Sequence, residues 1–338
     1  MRVAVVGVGA IGGPIAAHLV ENDVDVIAVT KHPKLAATIQ TKGLRLQGAE
    51  EARAVRIKAV PLIEDLKGHY DIVFLAMKAT EVEAAAKALL PFLQDDSVVV
   101  TLQNGIVEDA VAAIVGQSRV ISAVVVWASS MAELGNVTVT SNGEFIIGLL
   151  DETGNHHRLG EVATLLGYCQ PVVVTENIYG ALFAKLTINA CLNGLGALSG
   201  QTSGEILASQ RSRRLFMGIT TEAITVASRI GIKFENMGGF DIQTVALSAR
   251  ESEASLAEKH TILERLGQII KDVKASSLQS LERGRKTEND FLNGYITAKG
   301  KELGVATPIN SKITRLVKEI ETGKRHFAPE NLLELPLP

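Results

Sequence analysis

Hydrophobic residues in the first half of the chain come in short β-branched runs: RVAVVG, VDVIAVT, DIVFLAM, SVVVTL and RVISAVVVW. Stretches of helical periodicity separate them. Apolar runs of that length alternating with helices predict βαβ units on a parallel sheet buried on both faces. LRLQGAEEARAVRIKAV has period-two character and predicts a pair of antiparallel strands inserted before DIVFLAM. NVTVTSNGEFIIGLL predicts a hairpin turning at Asn142-Gly143, and PVVVTEN predicts the last strand of this half. From Ile178 onward the pattern is helical, over 178–198, 211–231, a charged stretch near 250–274, 287–303 and 308–322. No repeat of solenoid period is evident. The change of texture puts a boundary near Glu176, giving an α/β domain over 1–176 and an all-α domain over 177–338.

The chain has 338 residues, long for a single core and comfortable for two domains. Hydrophobic residues make up 46%, charged residues 21%, and the net charge is −3. That balance implies no general attraction to nucleic acid or anionic membranes. The start MRVAVVGVGAIGG lacks the features of a signal peptide, and no apolar run reaches the roughly 18 residues of a membrane span. Cys169 and Cys191 stand far apart, in no metal-ligand spacing, so neither a disulfide framework nor a metal site is expected. The expectation is a cytoplasmic protein.

Gly7, Gly9 and Gly12 form a G-x-G-x-x-G pattern directly after the first strand and at the head of an apolar helix. The first glycine permits a tight turn, the second lets backbone approach a pyrophosphate, and the third lets helix and strand pack closely. The helix N-terminus, with the Ala10 and Ile11 backbone, offers unpaired N–H groups to phosphate. A Rossmann-type dinucleotide-binding domain follows from this context. At the end of the second strand an NAD site usually carries an acid for the ribose 2′-hydroxyl. Thr30, Lys31 and His32 stand there instead, and Asp23 and Asp25 come too early. Lys31 would attract a 2′-phosphate, which favours NADP(H); the alternative is a surface lysine beside a loop proline. Lys78 and Gln103-Asn104-Gly105 follow two further strands, at the sheet rim where such folds bind ligands. A solvated helix start at Lys78 and a plain Asn-Gly turn are the competing accounts.

ALFAKLTINACLNG, residues 181–194, reads as an apolar helix that carries Lys185, Asn189 and Asn193. Spacings of four and four keep all three within about 80° of one another on one face. A snorkelling lysine and locally bonded asparagines would be ordinary taken one at a time. Three polar groups on one stripe, each costing about 1–3 kcal/mol if buried unpaired, point to a functional cleft.

The pattern KLTINACLNGLGAL resembles the K-x-x-x-N-x-x-x-N helix signature of the ketopantoate reductase family. GVGAIGG, MKATEV, TLQNG and the late segment from SSLQ to EIE, with its T-E, N-G and T-P-x-N elements, fit the family in order along nearly the whole chain. The resemblance implies reduction of 2-dehydropantoate to (R)-pantoate with NADPH, in pantothenate biosynthesis. It implies Lys185 as general acid, with Asn189, Asn193, Asn104 and Ser276 (or Ser277) contacting substrate. It implies Glu288 as the carboxylate that orients substrate beside the lysine and borders the cofactor. Lys31, Lys78 and Asn104 would contact the cofactor. Independently of the resemblance, Thr287 and Asp290 predict a capped helix start in which Glu288 is merely a first-turn acid. Residues 234–276 exceed the compact family pattern and read as a charged surface helix, a subunit contact or an altered wall of the substrate cleft. The rivals in function are a D-2-hydroxyacid dehydrogenase acting on another branched or aromatic 2-oxo acid, and a non-catalytic NADP-binding sensor. A homodimer through the helical half is the expected assembly if one forms.

Overall fold

Four of the five residues in the first strand, β1 (Arg2–Val6), are buried, as expected of a strand covered on both faces. The computed structural model describes residues 1–48 and 51–338. Its first unit comprises residues 1–103 and 107–178, and its second residues 104–106 and 179–338.

The first unit continues through α1 (Gly12–Glu21), β2 (Asp25–Val29), α2 (Pro33–Thr41), β3 (Leu44–Gln47), β4 (Arg53–Val55), β5 (Lys58–Val60) and β6 (Tyr70–Leu75). After these come α3 (Val82–Leu89), β7 (Leu93–Thr101), α4 (Glu108–Val115), β8 (Val120–Val125), β9 (Ala128–Glu133), β10 (Asn136–Ser141), β11 (Phe145–Leu149), α5 (His156–Gly167) and β12 (Val172–Val174). One sheet has the order β12-β11-β8-β7-β6-β1-β2-β5. Its pairings are parallel except β11 against β8. Strand order reverses at β1, flanked by β2 on one side and β6 on the other, and the loops after β1, β6 and β7 leave from carboxyl ends. That rim is where open α/β sheets take ligands.

Two local expectations change. Asn142-Gly143 makes no hairpin: β10 pairs antiparallel with β9 in a four-stranded sheet ordered β4-β3-β10-β9, while β11 pairs with β8 in the large sheet. Gly143 is there for space, because a Cβ would lie 2.2 Å from the Val126 carbonyl oxygen. The tight turn is instead at Gly135, with φ +84°. The period-two segment does supply the antiparallel pair β3–β4, but β5 at its end joins the large sheet parallel to β2. Residues 49–50 of that segment lie outside the described residues. Trp127 packs edge-on against Phe145, with ring centroids 5.7 Å apart.

The second unit holds α6 (Ile178–Ser199), α7 (Ser203–Ala208), α8 (Gln210–Arg229), α9 (Glu253–Ile269), α10 (Ser276–Glu282), α11 (Asn293–Leu303) and α12 (Pro308–Glu321). Its only β feature among the described residues is an isolated Met237–Phe240 bridge. By length and composition α6 could cross a membrane, yet 78% of its most apolar window is buried inside the protein. The helix expected over 287–303 is shorter. Residues 289–291 form a separate 3-10 turn, and Leu292 (φ −112°, ψ −101°) breaks the path before α11. Thr287 therefore does not cap α11; its hydroxyl accepts from the Asn289 amide and donates to Glu321. The charged helix α9 is not merely solvated. Lys259 is buried, donating to Glu251 (2.6 Å) and to the Ala246 carbonyl, and Gly267 brings α9 onto Leu207 of α7.

Candidate active site

Each glycine of the loop after β1 meets a different demand. Gly7 has φ +96°, and a Cβ there would sit 2.5 Å from the Met77 amide nitrogen. At Gly12 a Cβ would sit 2.4 Å from the Gly7 carbonyl oxygen. At Gly9 a Cβ would meet nothing within 4 Å, and its φ is not positive, so the protein's own packing does not call for glycine there. Open space at the middle glycine is what the approach of a ligand phosphate requires. Among the described residues the amides of Ala10, Ile11 and Gly12 have no hydrogen-bond partner, while the Gly13 amide is tied to Gly9. The Ala10 carbonyl is turned the other way, accepting from the Ser129 hydroxyl. Free amides at the head of α1, with the helix dipole behind them, fit a dinucleotide pyrophosphate.

Lys31 follows β2 with φ +63°, its amide donating to the Pro61 carbonyl at 2.8 Å. Its ammonium is ion-paired to Glu81, from the 3-10 turn Ala79–Glu81 that Lys78 precedes. Lys78 is exposed, at the rim beyond β6. Gln103 is buried and anchors that rim: its amide nitrogen donates to the carbonyls of Leu75 (2.9 Å) and Met77 (3.2 Å). Glu108 is buried at the head of α4 and accepts from Thr101, Ser122 and the Val107 amide. Desolvation pushes its carboxyl above the usual range. Sequence reasoning missed Glu81 and Ser129, because their partners Lys31 and Ala10 lie 50 and 119 positions away; it also missed Glu108, whose burial between Thr101 and Ser122 is set by the neighbouring strands.

Gln103-Asn104-Gly105 is more than a turn. Gly105 has φ +89°, and a Cβ would lie 2.5 Å from the Phe291 carbonyl oxygen, so the loop lies directly on the turn that follows Glu288. Asn104 is exposed, and its carbonyl oxygen accepts from the Asn189 side-chain amide at 3.0 Å. That bond uses the Asn104 carbonyl oxygen and the Asn189 NH2, so the Asn104 NH2 and the Asn189 carbonyl oxygen remain for other partners.

On α6 the stripe is present. Lys185 is half-buried, and burial pushes its ammonium pKa below the ordinary lysine value. No hydrogen bond or ion pair reaches it among the described residues, and no carboxylate offsets the burial. Glu288 is half-buried and engaged with other groups. The Asn193 carbonyl oxygen accepts from the Ser276 hydroxyl and the Ser277 amide, both at 2.9 Å, which ties the head of α10 to the stripe. Ser276 is exposed and Ser277 buried, so Ser276 is the serine a ligand can reach. Behind the stripe Asn293 donates to the Ala190 carbonyl and to Asn310. Asn310 in turn binds Glu222, which also accepts the Ile309 and Asn310 amides at the start of α12. Burial raises the Glu222 carboxyl above its usual range. Asn310 is the asparagine of the T-P-x-N element, and its part is to tie the start of α12 to α11 and α8. Among the described residues no cluster of His, Cys, Asp and Glu is arranged to hold a metal.

Comparison with known proteins gives a concordant picture. The family model described as ketopantoate reductase PanE/ApbA matches residues 3–152, and that for the family's C-terminal domain matches residues 177–321. The 2-dehydropantoate 2-reductase of Archaeoglobus fulgidus is 28% identical over 324 residues, which span 95% of this chain and 98% of that protein. The crystal structure of a PanE/ApbA family ketopantoate reductase from Ralstonia eutropha superposes with a TM-score of 0.81 at 27% identity, covering 96% of this chain and 100% of the other. A D-mandelate dehydrogenase solved with NADH and anilino(oxo)acetate superposes at 0.82 with 22% identity, covering 96% and 99%, a likeness of fold.

Proposed function

The chain belongs to the ketopantoate reductase PanE/ApbA family, and from that premise we propose that it reduces 2-dehydropantoate to (R)-pantoate with NADPH, Lys185 acting as general acid. Residues 1–176 hold the dinucleotide and residues 177–338 the substrate and the proton donor. The observation that carries this reading is Lys185. A lysine on a buried helix, with its pKa lowered by burial and without a carboxylate partner, followed along its stripe by two carboxamides, suits proton donation better than packing.

The head of α1 would hold the pyrophosphate through the Ala10, Ile11 and Gly12 amides, with Lys31 and Lys78 toward the adenosine end. When bound, the reduced nicotinamide supplies a hydride to the carbonyl carbon. Negative charge then develops on the carbonyl oxygen, and the Lys185 ammonium stabilises it and delivers a proton there. The C=O becomes CH–OH, and the neutral amine regains its proton from solvent. A lowered pKa brings the ammonium nearer the working pH, where donation is easier. The remaining amide groups of Asn104 and Asn189, the Asn193 amide and the Ser276 hydroxyl supply donors and acceptors for the 2-oxo acid's carboxylate and hydroxyl. Glu288 receives a substrate hydroxyl. Such an enzyme works on a small soluble substrate in the cytoplasm, and a homodimer is its proposed assembly.

The test is a panel of 2-oxo acids with NADPH oxidation followed spectroscopically. The reading expects turnover on 2-dehydropantoate above all others. Turnover confined to another branched or aromatic 2-oxo acid would move the substrate and leave the chemistry. No turnover on any 2-oxo acid would refute the reading.

A further inference from the structure

The end of β2 carries no acid, yet the structure brings one there. Glu81 lies 50 residues further along the chain, in the turn after β6, and its carboxylate is paired with the Lys31 ammonium. The pairing is built in from both sides. The strand β2 runs on past its end: the Thr30 amide donates to Val60 and the Lys31 amide to Pro61, which sets Lys31 in its left-handed conformation. On the other side the Glu81 amide closes the 3-10 turn onto the Lys78 carbonyl at 3.0 Å. Both side chains stay open to solvent, 64% exposed for Lys31 and 44% for Glu81, so a ligand can reach them.

In a dinucleotide fold this is the position of the adenosine ribose 2′-substituent. A carboxylate accepts from a 2′-hydroxyl, and a cation attracts a 2′-phosphate. Here both stand in one contact. We infer that Glu81 is a specificity-determining residue for the cofactor: with Lys31 it lets the site take NADH as well as NADPH, and its charge holds down the preference for NADPH. A 2′-phosphate gains the Lys31 ammonium but meets the Glu81 carboxylate beside it. A 2′-hydroxyl donates to Glu81, which Lys31 keeps in place. An exposed ion pair contributes little to the fold, so there is no strong structural reason for the two to be joined. This inference rests on reading Gly7–Gly12 and Lys31 as a dinucleotide site.

Fragments without nicotinamide separate the inference from the reaction. Binding of 2′-phospho-ADP-ribose and of ADP-ribose is measured by calorimetry for the wild type, E81Q and K31A, with thermal unfolding to show that each variant is folded. E81Q is expected to bind 2′-phospho-ADP-ribose about 3–10-fold more tightly and ADP-ribose about 3–10-fold more weakly, the first change shrinking as salt rises. K31A is expected to weaken 2′-phospho-ADP-ribose chiefly. If both fragments bind and E81Q leaves their ratio unchanged, the role of Glu81 is refuted while the dinucleotide site stands. If neither fragment binds the wild type, the dinucleotide reading fails and the inference with it.

Discussion

Replacing Gly105 by alanine tests whether the loop after β7 is a positioning device. At φ +89° an alanine pays roughly 1–2 kcal/mol in backbone strain alone. Its Cβ would also lie 2.5 Å from the Phe291 carbonyl oxygen, against an ordinary contact of 3.4 Å or more. The carbonyl is backbone and cannot rotate aside, so loop and turn must part by close to 1 Å. Asn104 is carried by that loop and Glu288 stands just before that turn, so the shift loosens the Asn104–Asn189 bond and displaces both. A displacement near 1 Å at a reacting centre costs on the order of 10²-fold in rate. The expected result for G105A is a fall in kcat/KM of about that size, with the melting temperature lowered by several degrees and ADP-ribose binding at the glycine loop unchanged. The assays are steady-state reduction of the 2-oxo acid, thermal unfolding and calorimetry. Wild-type kcat/KM in a folded but less stable G105A protein would refute the positioning argument.

K185A should lower kcat by about 10²–10⁴, the usual worth of a general acid, with NADPH binding retained in a fluorescence titration. A general acid must carry its proton, so wild-type kcat/KM should fall as pH rises through the Lys185 pKa. Because burial lowers that value, the limb should lie below the ordinary lysine range near 10.4, and it should be missing from the residual K185A activity. G9A should leave thermal stability within about 0.5 kcal/mol of wild type, since its Cβ meets open space, yet weaken NADPH binding measured by fluorescence. E222L should cost about 3 kcal/mol or more in denaturant unfolding, because it leaves the Ile309 amide, the Asn310 amide and the Asn310 side chain without their acceptor.

The parts of this protein that were legible in its sequence are those fixed by neighbours in the chain. A strand ending in Gly7, with Gly9 and Gly12 opening a helix, is a local motif, and the free amides at the head of α1 follow from it. The stripe of Lys185, Asn189 and Asn193 is the same kind of fact, since helix geometry alone places positions four apart on one face. Where a decision needed partners far along the chain, local signals misled or were silent. Asn142-Gly143 looked like a hairpin because the dipeptide suits one, but β10 and β11 found better partners in two different sheets. TEND looked like a helix cap, but Thr287 is held by Glu321, and the chain breaks at Leu292 before α11 begins. The acid that seemed missing beside Lys31 arrives from the turn after β6, because β6 and β2 flank β1 in the sheet. Asn104 meets Asn189 across 85 positions of sequence. Periodicity and turn chemistry are short-range properties of a chain; which loops share the rim of a sheet, and which side chains meet there, is set by strand order and packing, and that only the folded chain decides.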